Sequence, residues 1–242
     1  MAFEKSIYDL AYNGDFQSVM SALDESPKVI TTPDSNGRLL IHWSSLGGHE
    51  NIVNYLLEHK SPVDPLDDTE MTPLILAASA GKENIVRILI GAGADINHQN
   101  NQGHSALQYA SSKGWKEITE MLLKNNGNVN ISDVRGATPL HRAASKGNTS
   151  IVKLLLDHPG GVNVNAKDCY GNTPLHLACE EERLEDAKML ISHGAILDVQ
   201  NKEKKTPLDL CSPQLARVLK EFANNLRTYI PNPPSNPNIV EL

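Results

Sequence analysis

Thr138-Pro139-Leu140-His141-Arg142-Ala143 and Thr173-Pro174-Leu175-His176-Leu177-Ala178 are two copies of one six-residue phrase, set 35 residues apart. The slot that the threonine opens recurs at Ser6-Ile7-Tyr8-Asp9, Leu39-Leu40-Ile41-His42, Thr72-Pro73-Leu74-Ile75, Ser105-Ala106-Leu107-Gln108 and Thr206-Pro207-Leu208-Asp209. The steps between first residues are 33, 33, 33, 33, 35 and 33. A fixed period of this size marks stacked supersecondary units, none of which buries its apolar face alone, so that neighbours share one long core. Such a stack offers an extended groove and no closed catalytic pocket, and this points to protein binding and away from an enzyme.

The third unit shows how each is built. Thr72-Pro73 opens a helix: the hydroxyl caps orphan amide groups, and proline costs nothing where no helical amide bond exists. That helix is expected to end at Gly81. A second follows in Glu83-Asn84-Ile85-Val86-Arg87-Ile88-Leu89-Ile90, with Ile85, Ile88 and Leu89 on one face, and stops at Gly91-Ala92-Gly93. The period and the phrase Thr-Pro-Leu-His-x-Ala resemble the ankyrin repeat, a β-turn finger followed by two antiparallel helices. The expected fold is therefore an all-α repeat solenoid of seven units including two caps, starting near residues 6, 39, 72, 105, 138, 173 and 206 and filling residues 1–228. The last unit is truncated, with Leu215, Val218, Leu219 and Phe222 on one stripe. Residues 229–242, rich in Pro and Asn, read as a disordered tail, its terminal Ile239-Val240-Glu241-Leu242 as an unstructured end rather than a docking peptide. The two-residue insertion at Asp157-His158-Pro159-Gly160-Gly161 falls in a connection and is expected to disturb stacking little.

With 242 residues, 40% hydrophobic and 21% charged, the composition is that of an ordinary soluble protein. A net charge of -7 argues against general attraction to nucleic acid, which needs a positive face. No leader and no apolar run of about 18 residues is visible, so neither export nor membrane spanning is expected. Cys169, Cys179 and Cys211 are odd in number and unpaired in spacing, which fits free thiols in the cytoplasm or nucleus.

Counting the threonine slot as zero, small residues at plus five and plus six serve close helix packing, whereas plus four, seven and eight lie on another face. Those positions vary, as does the residue at minus one in the turn tip. The expected partner-binding set is Arg38, Trp43, Met71, His104, Tyr109, Lys113, Arg135, Arg142, Lys146, Tyr170, Glu180 and Glu181. Trp43 and Tyr109 fit either core filling or the groove. Arg38, Lys113, Arg135, Arg142 and Lys146 make the first and central repeats basic, and Glu180 and Glu181 make the sixth acidic, so the partner is expected to carry a complementary acidic face and a basic patch toward one end.

Beyond the generic repeats, Arg38 before Leu39-Leu40-Ile41-His42-Trp43, the run His141-Arg142-Ala143-Ala144-Ser145-Lys146-Gly147-Asn148, and above all Leu175-His176-Leu177-Ala178-Cys179-Glu180-Glu181-Glu182-Arg183 resemble the gankyrin family over residues 1 to about 226. These are non-ATPase ankyrin proteins that escort assembly of the proteasome regulatory particle. The resemblance implies that the groove binds the carboxy-terminal domain of one AAA ATPase subunit of the proteasome base, with Arg38 and Lys113 at the family's groove arginine and lysine. The free protein is expected to be a monomer, in cytoplasm and nucleus. The tail and the insertion depart from the family pattern. The alternative function is an inhibitor or adaptor of a cyclin-dependent kinase or pocket protein.

Leu177-Ala178-Cys179-Glu180-Glu181 spells L-x-C-x-E, the docking peptide of pocket-protein ligands, which this family carries at this place. Here it falls in a helix with Cys179 at the packed plus-six slot, whereas docking needs an extended, exposed strand; the structural reading of Leu177, Cys179 and Glu181 is the favoured one. His42, His141 and His176 are expected to bond turn backbone, and no ligand spacing for a metal or motif for a cofactor is present. Asn97, Asn130 and Asn165 hold turn positions that asparagine hydroxylases modify in other ankyrin proteins; their expected role is hydrogen bonding within the turn.

Overall fold

The computed structural model describes residues 6–228, and the expected tail lies outside them. All regular structure among these residues is helical. Six helix pairs follow in order: α1 Ile7–Asn13 with α2 Phe16–Glu25, α3 Leu40–Gly47 with α4 Glu50–Glu58, α5 Pro73–Ser79 with α6 Glu83–Gly91, α7 Ala106–Lys113 with α8 Lys116–Lys124, α9 Pro139–Lys146 with α10 Thr149–Leu156, and α11 Pro174–Glu180 with α12 Leu184–Ser192. In the seventh unit the first helix shrinks to a 3-10 turn, Pro207–Asp209, before the long α13, Pro213–Thr228. First helices stack on first helices and second on second, and α13 closes the stack against α12.

Small residues make the inner layer possible. At plus five and plus six stand Ser44-Ser45, Ala77-Ala78, Ala110-Ser111, Ala143-Ala144 and Ala178-Cys179, all fully buried. With no bulk between them the first helices approach closely, and Leu40, Leu74, Leu107, Leu140 and Leu175 fill the space behind. The economy has one cost. The Ser45 and Ser111 hydroxyls are buried without a hydrogen-bond partner.

The outer layer follows the Ile-Val pattern at Ile52-Val53, Ile85-Val86 and Ile151-Val152, all buried. In the sixth unit the isoleucine slot holds Asp186 instead, 1% exposed, with neither carboxylate oxygen hydrogen-bonded. Burial pushes its pKa up, while the Arg183 charge pulls the other way.

In the second, fifth and sixth units a histidine at plus three ties the repeat to the next. His141 is wholly buried; its Nδ1 accepts from the Thr138 amide at 3.1 Å and its Nε2 faces the Asn172 carbonyl at 3.0 Å. His42 and His176 make the same bridges, to Met71 and Lys205. An Nδ1 that accepts leaves the proton on Nε2, so the ring is neutral, and burial holds all three histidines below their ordinary pKa. Gln108 does the same work in the fourth unit, its Oε1 accepting from Ser105 N and its Nε2 donating to Ala137 O. In the seventh, with no described finger to reach, Asp209 caps only its own Thr206.

Candidate partner-binding groove

The finger tips form one wall of the groove, and each is built on an Asp or Asn five residues before the threonine slot. Oδ1 of Asp34, Asp67, Asn100, Asp133, Asp168 and Asn201 accepts the amides two and four residues on, as in Asp67 from Thr69 at 2.8 Å and Met71 at 2.9 Å. Glycine follows at positive φ in Gly37, Gly103, Gly136 and Gly171; Glu70 and Lys204 are held in the same left-handed geometry without it. A hydrogen bond then joins each tip to the one before: Asp68 N to Asn36 O, Asn101 N to Thr69 O, Val134 N to Gln102 O, Cys169 N to Arg135 O and Lys202 N to Tyr170 O. Behind them runs a second ladder of Asn97, Asn130 and Asn165. Their side chains bond the following finger, as in Asn130 Nδ2 to Gly161 O and Asn163 N to Asn130 Oδ1, so they bridge neighbouring turns rather than closing their own. The bridge spans the inserted loop unbroken.

The second oxygen of these finger acids decides which groove cations are free. Asp67 Oδ2 takes the Arg38 Nε at 2.9 Å, and the Arg38 guanidinium lies 4.9 Å above the Trp43 ring, whose Nε1 donates to Asp34 Oδ2. Burial works against ionisation of Asp67, but hydrogen bonds from Thr69, Met71 and Arg38 hold its carboxyl below the usual carboxylate range. Asp133 is likewise kept low, against burial, chiefly by the Arg142 guanidinium that grips its Oδ2. Arg142 also donates to His104 Nε2 at 3.1 Å, and His104 meets Tyr109 edge-to-face. Burial first, then the Arg142 charge, lowers the His104 pKa, so this imidazole is neutral at pH 7.

Two of the five expected groove cations, Arg38 and Arg142, are therefore neutralised by buried acids of the chain itself. The side chains of Lys113, Arg135 and Lys146 are exposed and have no hydrogen-bond or ion-pair partner among the described residues. Trp43 and Tyr109 are half-buried, packed on the core yet reaching the groove. Met71 lies off the free face: 8% exposed, it folds its apolar chain into the core, with Asn100 Nδ2 3.2 Å from its sulfur. Tyr170 stands 58% exposed on the sixth finger. Glu180 and Glu181 are exposed, whereas Glu182 receives Ser212 at the start of α13. In the L-x-C-x-E segment, Leu177 is half-buried, Glu181 is exposed and Cys179 is 0% exposed, its thiol pKa pushed far up by burial.

Sequence reading overlooked the finger acids, although Asp34, Asn100, Asp133 and Asp168, each three residues before a glycine, repeat with the same period as the threonine slot.

Ankyrin repeats are matched across residues 7–100, 92–168, 125–204 and 160–225, which together span most of the chain. The chain is 42% identical over 67 residues to human 26S proteasome non-ATPase regulatory subunit 10, and 41% identical over 67 residues to its rat counterpart. These stretches are 28% of this chain and 30% and 29% of those proteins, so the match spans less than a third of the relatives' own length. The human ASB11 ankyrin repeat domain superposes with a TM-score of 0.80 at 27% identity, covering 90% of this chain and 98% of that one. Stacked helix pairs, bridging histidines and hydrogen-bonded fingers, together with these matches, make the chain a member of the ankyrin-repeat family.

Proposed function

We propose that this protein is an assembly chaperone of the proteasome regulatory particle, holding the carboxy-terminal domain of one AAA ATPase subunit of the base in its concave groove. By occupying that domain it delays docking of the base onto the proteolytic core until assembly is complete. The observation that carries the reading is the 67-residue similarity to the non-ATPase regulatory subunit 10 proteins. The groove supports it: ankyrin stacks are typically non-enzymatic interaction scaffolds, and here Lys113, Arg135 and Lys146 are left free for an acidic partner. Such a role places the protein in cytoplasm and nucleus, where proteasomes are built. Action on a cyclin-dependent kinase or a pocket protein is the lesser reading, because the cysteine that pocket docking needs is buried.

Affinity purification from the source organism is the direct test, and recovery of no proteasomal ATPase subunit would sink the proposal. Lys113→Glu is the sharper probe. Its side chain is unpaired, so the fold should be untouched while ATPase-domain binding weakens at least fivefold. Arg38→Ala is a poorer choice, since it strands the buried Asp67 carboxylate and confounds binding with stability.

A further inference from the structure

A cavity of about 220 Å³ opens on the groove over the fifth repeat, walled by the fourth and sixth. Its walls come from equivalent positions of successive units: Arg135 and Tyr170 from two neighbouring finger tips, Ser112 and Ser145 from two neighbouring first helices, and Lys146 from the end of α9. The Cys169 N to Arg135 O bond of 2.7 Å fixes the spacing of the tips. The cavity exists because of what stands at two slots. Elsewhere the residue at minus one (Arg38) or plus four (Trp43, Arg142) reaches over to a finger acid. Here those slots hold Ala137 and Leu177, which neither fill the space nor bring a charge.

The lining is rich in donors. The Arg135 and Lys146 side chains have no partner and Arg142 is already neutralised by Asp133; the one acid in the lining, Asp168, has its Oδ1 engaged by the Tyr170 and Asn172 amides and its Oδ2 without a partner among the described residues, so two free cations outweigh one carboxylate. We propose that this cavity is a subsite for the carboxylate side chain of a Glu or Asp on an extended segment of the partner protein, held by Arg135 from the finger side and Lys146 from the helix side. Glu180 and Glu181, one repeat further at the positions equivalent to Ser145 and Lys146, reverse the charge, so the segment runs with its acidic residue over the fifth repeat and a non-acidic or basic one over the sixth. Pairs this exposed add little affinity; they fix register and direction. The inference rests on the groove-binding reading only in that a protein segment lies along the groove.

The probe is the dipeptide acetyl-Glu-Glu-amide, titrated into the full ¹⁵N-labelled chain at low salt and followed by amide NMR shifts. Saturable shifts centred on Ser112, Arg135, Ser145, Lys146 and Tyr170 are expected. The dissociation constant should rise at least fivefold in Arg135→Ser with Lys146→Ala, and less than twofold in Lys113→Ala, with circular dichroism of both variants unchanged. Acetyl-Lys-Lys-amide should leave these peaks in place. Shifts centred elsewhere, an unchanged constant in the double variant, or inorganic phosphate binding as tightly as the dipeptide would each overturn the assignment. Because the probe is no proteasome fragment, a positive titration beside a failed ATPase pull-down condemns only the proposed partner, and the reverse outcome condemns only the subsite.

Discussion

Replacing His141 by leucine keeps roughly the bulk of the ring and removes both of its bridges. The Thr138 amide and hydroxyl, 3.1 and 2.9 Å from Nδ1, and the Asn172 carbonyl, 3.0 Å from Nε2, then lose their partner around a ring that is wholly buried. Each orphaned buried group costs about 1–3 kcal/mol, so the backbone amide and carbonyl, which cannot turn away as the hydroxyl can, together cost about 2–6 kcal/mol, a large share of a total stability of roughly 5–15 kcal/mol. The chain contains its own control. Gln108 spans the same two groups of the fourth repeat with an amide, at 3.0 and 2.8 Å, so His141→Gln should cost less than about 1 kcal/mol. Urea unfolding followed by helical circular dichroism measures both variants. A pH series adds a second readout, because burial lowers the pKa of His42, His141 and His176 in the fold. Below the unfolded value of about 6.5 the unfolded chain binds more protons than the native one, so stability is full above that pH and is lost as pH falls below it. His141→Gln should make the fall shallower by one histidine. If leucine is tolerated as well as glutamine, or if the acid slope is unchanged, the bridging role is wrong.

Three further outcomes follow from groups the fold leaves unsatisfied or hides. Ser111→Ala removes a buried hydroxyl with no partner from a slot where Ala78 and Ala144 serve elsewhere, and should raise stability by about 1 kcal/mol, roughly 2–4 °C in melting temperature. Asp186→Leu should stabilise by about 1–3 kcal/mol at pH 7; because burial raises the carboxyl pKa, the native acid is most costly at high pH, and the gain should shrink as pH falls toward 4. In thiol labelling of the folded protein the exposed Cys169 should react promptly and the buried Cys179 only on unfolding, while Cys179→Ala costs about 1 kcal/mol. Labelling of Cys179 at the rate of a free peptide thiol would revive the pocket-docking motif.

Periodicity alone determined the architecture, since a 33-residue repeat of capping threonine, proline, small inner residues and an apolar outer stripe specifies one local unit and requires its neighbours to cover it. The caps, the helix ends near glycine and the buried place of Cys179 follow from that local grammar. What the charged groove offers was decided only by packing. Arg38 and Lys113 look alike along the chain, yet one is spent on Asp67, 29 residues away, and the other is free, because Asp67 belongs to the finger of the next repeat and its distance in sequence carries no local signal. The same holds for Met71, drawn into the core beside Asn100, and for Asp186, an acid that the register of the stack places where isoleucine stands in its neighbours. Local pattern sets which residues form each helix and turn; the stacking of one repeat on the next sets which of their side chains remain to meet a partner.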